Sequence, residues 1–339
     1  MKKRLLAIVN PISGVGRQKK IERLLNDNLD HDLYDHEVRY TEHIHHGTEL
    51  ARQGVLEGFD GIVAVGGDGS VNDIIAGMHQ AMPDGGGTPG NAAAMPCLGI
   101  IPCGSGNGLA RCMKIPMTPA LAIRVLNQDN EGYIDTITLN DKFFVASIAG
   151  VGFDAFIARL MKAAKVRGFS AYMGLILREY PSYESKDYHL VVDGKEYDRK
   201  AWFITFANSN QFGYNAAVAP QAKLDDGLID ISIVDKVPIE HIAITGPLMY
   251  ANHLELSQHV EIMKAHEVWV SGNVDKWVNI DGEGENVGHE LHFVNHQQSL
   301  KILKRDTKRP LISRTASDHL NIVRDQLQMT REQMLPKKK

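Results

Sequence analysis

Residues 59–77, FDGIVAVGGDGSVNDIIAG, constrain this chain more than any other stretch. The run Gly61-Ile62-Val63-Ala64-Val65 is short, apolar and β-branched, the pattern of a strand covered on both faces. Gly66-Gly67-Asp68-Gly69 follows, and then Val71, Ile74 and Ile75 recur at helical spacing, with Ser70 placed to cap. The stretch reads as a strand, a glycine turn and a helix start. Such a turn lets backbone N–H groups and the positive end of a helix face an anion. Glycine is needed because phosphate oxygens approach where a Cβ would sit. Asp68 is the odd member, since a carboxylate repels a phosphate. It makes sense acting through Mg²⁺, or accepting a proton from a nucleophile. The plainer reading is a tight turn with an Asx cap.

A second turn repeats the first. Leu98-Gly99-Ile100-Ile101-Pro102 is another buried strand, followed by Cys103-Gly104-Ser105-Gly106-Asn107-Gly108-Leu109-Ala110. Two glycine-rich strand-to-helix turns in close succession suggest one phosphate site built from two loops. There is no GxxxxGK[ST], and no GxGxxG with a later ribose acid. GGDGSVND followed by P-x-GSGNGLAR resembles the diacylglycerol kinase catalytic family, which includes the sphingosine and ceramide kinases. The resemblance runs from residue 3 to about residue 305.

The family resemblance implies a set of roles. Asn10, Pro11, Ser13 and Gly14 form the NPxSG turn that lies at the nucleotide, and Thr41 matches a nucleotide contact. Gly66, Gly67, Asp68, Gly69, Ser70 and Asn72, with Gly104, Ser105, Gly106 and Asn107, complete the expected ATP site. Lys223-Leu224-Asp225-Asp226-Gly227-Leu228 resembles the turn that holds a structural Mg²⁺ in bacterial relatives. The matching ligands are the Asp226 side chain and the carbonyls of Lys223 and Leu228; an Asp-Gly turn without metal is the alternative. Asp135 matches a member of the associated metal–water network. Asp154 matches a lipid-headgroup aspartate of sphingosine kinases. Asp281-Gly282-Glu283 is the DGE signature. A strand delivers Asp281 to a turn, and Glu283 follows two residues later, on the same side if the chain stays extended. Either Asp281 or Asp68 is the expected general base. One departure is informative: bacterial diacylglycerol kinases often read GT-x-ND, whereas this chain has Gly108 where that aspartate would stand. This moves the expectation toward a sphingoid substrate.

Length and composition fit this reading. With 339 residues and 43% hydrophobic residues, two domains with real cores are expected. The fold class is an N-terminal α/β domain with a parallel sheet over 1–130, then a larger antiparallel β-rich domain over 131–305, α+β overall. The chain end is left open to return to the first domain. Strands are expected at 133–139, 142–149, 187–192, 201–207 and 228–234, and a helical region at 155–180. A helix is expected over about 17–26, and His43, His45 and His46 fall in a loop with no acidic partner at ligand spacing. The loop 83–95 is long enough to border the site.

No run reaches the ~18 apolar residues of a membrane span. The basic, then apolar, start reads as a first strand. Net charge is −4, and residues 305–339 hold nine Lys/Arg and four Asp/Glu, leaving about −9 on the rest. A basic tail suits anionic lipid, and a solvated disordered tail suits it equally; nucleic acid is not an expected partner. Leu320, Val323 and Leu327 at helical spacing, with Ser317 to cap, fit an interfacial helix or one docked on the body or on a second copy, so a homodimer stays open. Cys97, Cys103 and Cys112 read as reduced thiols. The expected protein is cytoplasmic, peripheral to the inner face of the membrane, and uses ATP and Mg²⁺ to phosphorylate diacylglycerol, a sphingoid base or ceramide. The alternatives are a soluble-substrate kinase of the NAD-kinase type, and a non-catalytic nucleotide- or lipid-binding protein.

Overall fold

A computed structural model describes residues 1–13, 20–82, 91–164 and 168–311. Gly14, most of the 83–95 loop and the tail residues Ser317, Leu320, Val323 and Leu327 lie outside the described residues. The chain divides into two compact units, Met1–Ile134 with Ser299–Lys339, and Asp135–Gln298.

In the first unit, strands alternate with helices: β1 (Lys3–Val9), α1 (Ile21–Asn28), β2 (Tyr34–Tyr40), α2 (His46–Leu56), β3 (Gly61–Gly66), α3 (Asp68–Gln80), β4 (Cys97–Pro102), α4 (Gly108–Cys112), α5 (Pro119–Leu126), and then β5 (Glu131–Leu139), which leads out of the unit. The sheet order is β2-β1-β3-β4, all parallel. β3 and β4 are buried throughout, as continuous apolar runs require in a sheet covered on both faces. Helix α2 packs on α3, and α1 on α5. Gly77 permits the first pairing, because a Cβ there would lie 2.9 Å from the Ala51 Cβ and overlap the Thr48 carbonyl. From β1 the chain crosses to β2 on one side, and then returns to β3 on the other. The C-terminal ends of β1 and β3 therefore flank a switch point, where such sheets hold ligands.

Two differences from the sequence expectations are local. Helix α3 begins at Asp68 with Gly67 as its N-cap, so Ser70 lies inside the first turn and caps nothing. Its hydroxyl instead accepts from Asn10 Nδ2 at 3.1 Å. Helix α1 ends two residues later than the expected helix.

The second unit is an antiparallel β-sandwich with added helices: β6 (Phe143–Val145), β7 (Ile148–Gly152), α6 (Phe153–Ala164), α7 (Phe169–Glu179), β8 (Lys186–Val192), β9 (Lys195–Ala201), β10 (Phe203–Ala207), β11 (Ile229–Val234), α8 (Ile239–Tyr250), β12 (Val260–Ala265), β13 (Glu267–Gly272), β14 (Trp277–Ile280), β15 (Glu283–Asn286) and β16 (Leu291–Leu303), whose end returns to the first unit beside β4. One sheet runs β12-β11-β10-β7-β14-β15, and β9-β8-β13 with the first part of β16 form the other. The inward faces build one core, including Ile137, Val151, Leu190, Phe206, Ile231, Val268 and Phe293. At its centre Phe206 and Phe293 stack with ring centroids 4.0 Å apart.

The expected 142–149 strand is two strands, because Ala146 and Ser147 leave the ladder to bond elsewhere, as described below. The helical region at 155–180 is two helices, and Gly168, the N-cap of the second, has φ 102°. At the core centre, Phe206→Ala should cost about 3–5 kcal/mol, since the cavity opens beneath a stacked ring. Urea unfolding of the variant checks this; a loss below about 1 kcal/mol would show that the sandwich does not depend on this pair.

Candidate active site

The phosphate-type turns of the first unit meet without side chains between them. Gly66 carbonyl accepts from the N–H groups of Cys103 at 2.8 Å and Gly104 at 3.1 Å, tying the end of β3 to the start of the second turn. A Cβ on Gly67 would lie 3.1 Å from Gly104 Cα, and one on Gly104 would lie 2.8 Å from Asn107 Oδ1 and overlap Gly67. Asn107 braces its turn by accepting Gly104 N–H at 3.0 Å and donating to Gly104 carbonyl at 2.9 Å, in a left-handed conformation with φ 54°. Asn10 joins β1 to the group through Ser70, and its Oδ1 accepts Ile12 N–H at 3.1 Å. Ser13 is buried beside Gly67, its Oγ 3.8 Å from where a Gly67 Cβ would stand. Thr41 donates its N–H to Val9 carbonyl at 2.9 Å, which sets it at the same strand ends.

The structure therefore brings together Asn10, Ser13, Thr41, Gly66, Gly67, Asp68, Gly69, Ser70, Gly104 and Asn107. Pro11 and Ser105 are exposed on the rims, Gly106 is half-buried, and Asn72 is half-buried one turn into α3. Asp68 opens α3, and one of its oxygens lies 3.4 Å from Leu109 N–H of the second turn. The first turn of a helix carries backbone N–H donors and its positive dipole end, and the thirteen-residue α3 turns that end toward the cradle. The residues fit a nucleotide's phosphates: the glycines whose Cβ would fill the space are the ones the fold brings into contact.

Nearby, Glu49 approaches His43 and His46, with ligand atoms within 4.8 Å, so an acidic neighbour exists that the spacing hid. The two rings stack at 13° with centroids 4.4 Å apart, and His46 Nδ1 accepts Glu42 N–H. In-plane lone pairs of parallel rings do not converge on one ion.

In the second unit, buried carboxylates organise backbone. Asp281 and Gly282 form a two-residue hairpin loop between β14 and β15, both with positive φ (49° and 93°). The turn expected at Asp281 is a tight reversal, so the extended run that would put Glu283 on the same side is not formed. Asp281 is buried, and Glu283 starts the returning strand, exposed. The two do not share a side. The Asp281 carboxylate accepts three backbone N–H groups, from Ala146 and Ser147 at 2.8 Å and Ile148 at 2.9 Å. These bonds hold the break between β6 and β7.

Asn208 and Ser209 hold the other side of that segment. Both N–H groups donate to Ser147 carbonyl, the Ser147 and Ser209 hydroxyls pair at 2.5 Å, and Asn208 Nδ2 donates to Ala146 carbonyl at 3.3 Å and Asp135 carbonyl at 2.7 Å. Asp135 is fully buried and clasps Gly227 N–H at 2.6 Å and Gln298 N–H at 2.7 Å. Burial pushes its carboxyl above the ordinary value, against those two bonds. Sequence reasoning missed Asn208 and Ser209. Their signal is a polar Asn-Ser-Asn run directly after the buried strand FITFA.

The 223–228 turn lies beside Asp135 through Gly227. Asp226 Oδ1 accepts Leu228 N–H at 3.2 Å, and its Oδ2 pairs with Lys264 Nζ at 3.1 Å. Lys223 is exposed, and Leu228 carbonyl accepts from Asn295 Nδ2 at 3.3 Å.

Asp154 is buried in the first turn of α6, and Phe153, next to it in the chain, packs into an aromatic cluster with Trp202, Tyr180 and Tyr183. Gly150 leaves the space for its carboxylate. Asn279 Nδ2 donates to it at 2.8 Å, and Tyr172 hydroxyl lies 3.5 Å away. Burial pushes the Asp154 carboxyl from 3.8 up to about 6, opposed by these two donors. The native state therefore binds a proton between pH ~4 and ~6 that the unfolded chain has released, and stability falls as pH rises through that window. Wild type should lose up to about 3 kcal/mol relative to Asp154→Asn between those limits, by urea unfolding at each pH. Parallel curves would show that Asp154 is not held in this state.

Residues 4–139 match the family model of the diacylglycerol kinase catalytic domain, and residues 147–299 that of the YegS C-terminal NAD kinase beta sandwich-like domain. A diacylglycerol kinase of Staphylococcus saprophyticus is 27% identical over 309 residues, covering 87% of this chain and 94% of that protein. One from Staphylococcus aureus is 27% identical over 294 residues, covering 84% and 87%. A crystal structure described as a diacylglycerol kinase from Bacillus anthracis str. Sterne shares the fold, with a TM-score of 0.70, 20% identity, and coverage of 91% of this chain and 99% of that one.

Proposed function

We propose, from the premise that this chain belongs to the diacylglycerol kinase catalytic-domain family, that it transfers the γ-phosphoryl group of ATP to the hydroxyl of a lipid, diacylglycerol or a sphingoid base. The observation that carries this is the contact of Gly67 with Gly104 at the switch point of a parallel sheet, which forms a donor-rich cradle for phosphates.

The residues divide the work as follows. Asn10, Ser13 and the 66–70 and 104–107 turns hold the phosphates. Asp68 sits among them and accepts the proton of the attacking hydroxyl. Mg²⁺ on the nucleotide supplies charge neutralisation when bound. Asp281 is a positioning residue, because its two oxygens already accept three backbone N–H groups. Asp154, with Asn279 beside it, receives the polar headgroup of the acceptor, and the aromatic cluster receives its apolar part. Positioning and charge account for most of the acceleration in such a transfer.

A lipid acceptor requires contact with a membrane. Among the described residues no helix is long and apolar enough to cross one. Helix α8 supports a peripheral contact: Ile239 is 73% exposed and Ile244 64%, Ile242 and Tyr250 are exposed as well, and only Thr245 is buried. An exposed apolar helix of this kind suits the boundary of headgroups and acyl chains. Ile239→Asp with Ile244→Asp should weaken sedimentation with anionic liposomes at least tenfold while leaving thermal unfolding unchanged. Unaltered sedimentation would remove α8 from the contact.

A second reading, a soluble acceptor such as NAD, is favoured by the NAD kinase-like sandwich match. Purified protein with Mg²⁺, labelled ATP and a panel of diacylglycerol, sphinganine, ceramide and NAD separates these. Label in phosphatidic acid or a sphingoid phosphate is the expected result, and label only in NADP overturns it. In the same assay Asp68→Asn should lower turnover by roughly 10²–10⁴ without loss of fold. Asp281→Asn should lower the unfolding midpoint along with the rate, since an amide cannot accept all three N–H bonds. Near-normal turnover of Asp68→Asn would move the base elsewhere.

A further inference from the structure

The 223–228 turn resembles a metal site in sequence, yet the Asp226 carboxylate and the Leu228 carbonyl already have partners. Lys264 lies on β12 directly opposite Asp230 of β11 in the antiparallel register. Its ammonium is 3.1 Å from Asp226 Oδ2, 3.1 Å from Asp230 Oδ2 and 3.4 Å from Gln221 carbonyl. The ammonium donates to Asp226 Oδ2 and the Gln221 carbonyl and is ion-paired with Asp230. Asp226 Oδ1 accepts Leu228 N–H, and Leu228 carbonyl accepts Asn295 Nδ2. Gly227 carbonyl is 2.9 Å from His266 Nδ1.

Mg²⁺ requires near-octahedral oxygen ligands at about 2.0–2.1 Å. To reach Asp226 it would have to displace an ammonium from the same oxygen and overcome that group's positive charge. The residues present therefore do not fit the ion that the turn's sequence suggests. We propose that the Lys264 ammonium takes the place of a divalent cation in this turn, neutralising Asp226 and Asp230 and fixing the loop that Asp135 clasps through Gly227. Cross-strand placement makes this possible: a lysine opposite Asp230 on an edge strand reaches along the sheet to the turn that precedes β11. The inference concerns the turn alone and does not depend on which hydroxyl is phosphorylated, or on catalysis.

The test uses full-length protein without nucleotide or lipid. Mn²⁺ is titrated in, and the free ion is followed by its electron paramagnetic resonance signal. Wild type and Asp226→Asn should bind the same amount of Mn²⁺, and the thermal midpoint of wild type should be equal in EDTA and in millimolar Mg²⁺. Lys264→Met should unfold at lower temperature in EDTA and gain one Mn²⁺ site, which the further change Asp226→Asn removes. A saturable site in wild type that Asp226→Asn abolishes overturns the proposal, as does a wild-type midpoint that falls in EDTA and recovers with Mg²⁺. If Lys264→Met does not fold, the comparison of wild type with Asp226→Asn still decides.

Discussion

The close approach of Gly67 and Gly104 governs the first unit. Two strand-to-helix turns can share one carbonyl, Gly66, only if nothing projects between them. That single bifurcated acceptor aligns the ends of β3 and β4, and with Asn10 and Ser70 it ties in the end of β1. The start of α3 is then fixed relative to the second turn, and the cradle follows from sheet order and missing side chains rather than from any charged residue. The buried β3 and β4 supply the rigidity that such a contact needs, because neither strand can shift register without moving apolar groups into polar surroundings.

The second unit solves a different problem with carboxylates. Asp281, Asp135 and Asp230 are buried in a sandwich of aliphatic and aromatic side chains, where an isolated charge is costly. Two of them are satisfied by backbone N–H groups, and the third is ion-paired with an ammonium. Asp281 and Asp135 thereby organise three breaks in regular structure: the gap between β6 and β7, the turn before β11, and the departure of β16 at Gln298. Asn208 links the first two breaks by donating to both Ala146 and Asp135 carbonyls. These acidic positions carry the polar framework of the unit, and Asp281, a candidate base in the sequence, holds three of its backbone N–H groups.

How far the sequence reveals this depends on the range of the interactions. The first unit was legible because its signals are local: apolar strand runs, glycine turns and helical spacing occur within windows of about twenty residues. Ser70 was misplaced because a capping serine and a first-turn serine have the same neighbours, and only the partner, Asn10, distinguishes them. In the second unit, strands β8 and β10 to β11 were legible from alternation, while β9, with its polar sequence KEYDRKA, was not. The turn at Asp281 was legible, whereas the side on which Glu283 falls depends on how tightly the chain reverses there. The partners of Asp226 and Asp281 come from 38 and about 135 residues away, and no periodicity encodes such pairings.

Asp68 stands apart from the other acids. In the second unit each buried carboxylate has donors that its own fold supplies, so its presence follows from local stability. Asp68 gains a modest benefit from opening a helix, of the order of 0.3–1 kcal/mol. Yet it also places negative charge among glycine turns whose shape favours an anion, which works against the ligand the turns are built to hold. A neutral serine or asparagine would serve the helix start about as well without that conflict. A residue that breaks local consistency, where the surrounding geometry is otherwise uniform, is where function rather than stability accounts for the choice. That contrast supports the proposed division of labour, with Asp68 as the base and Asp281 as a positioning residue.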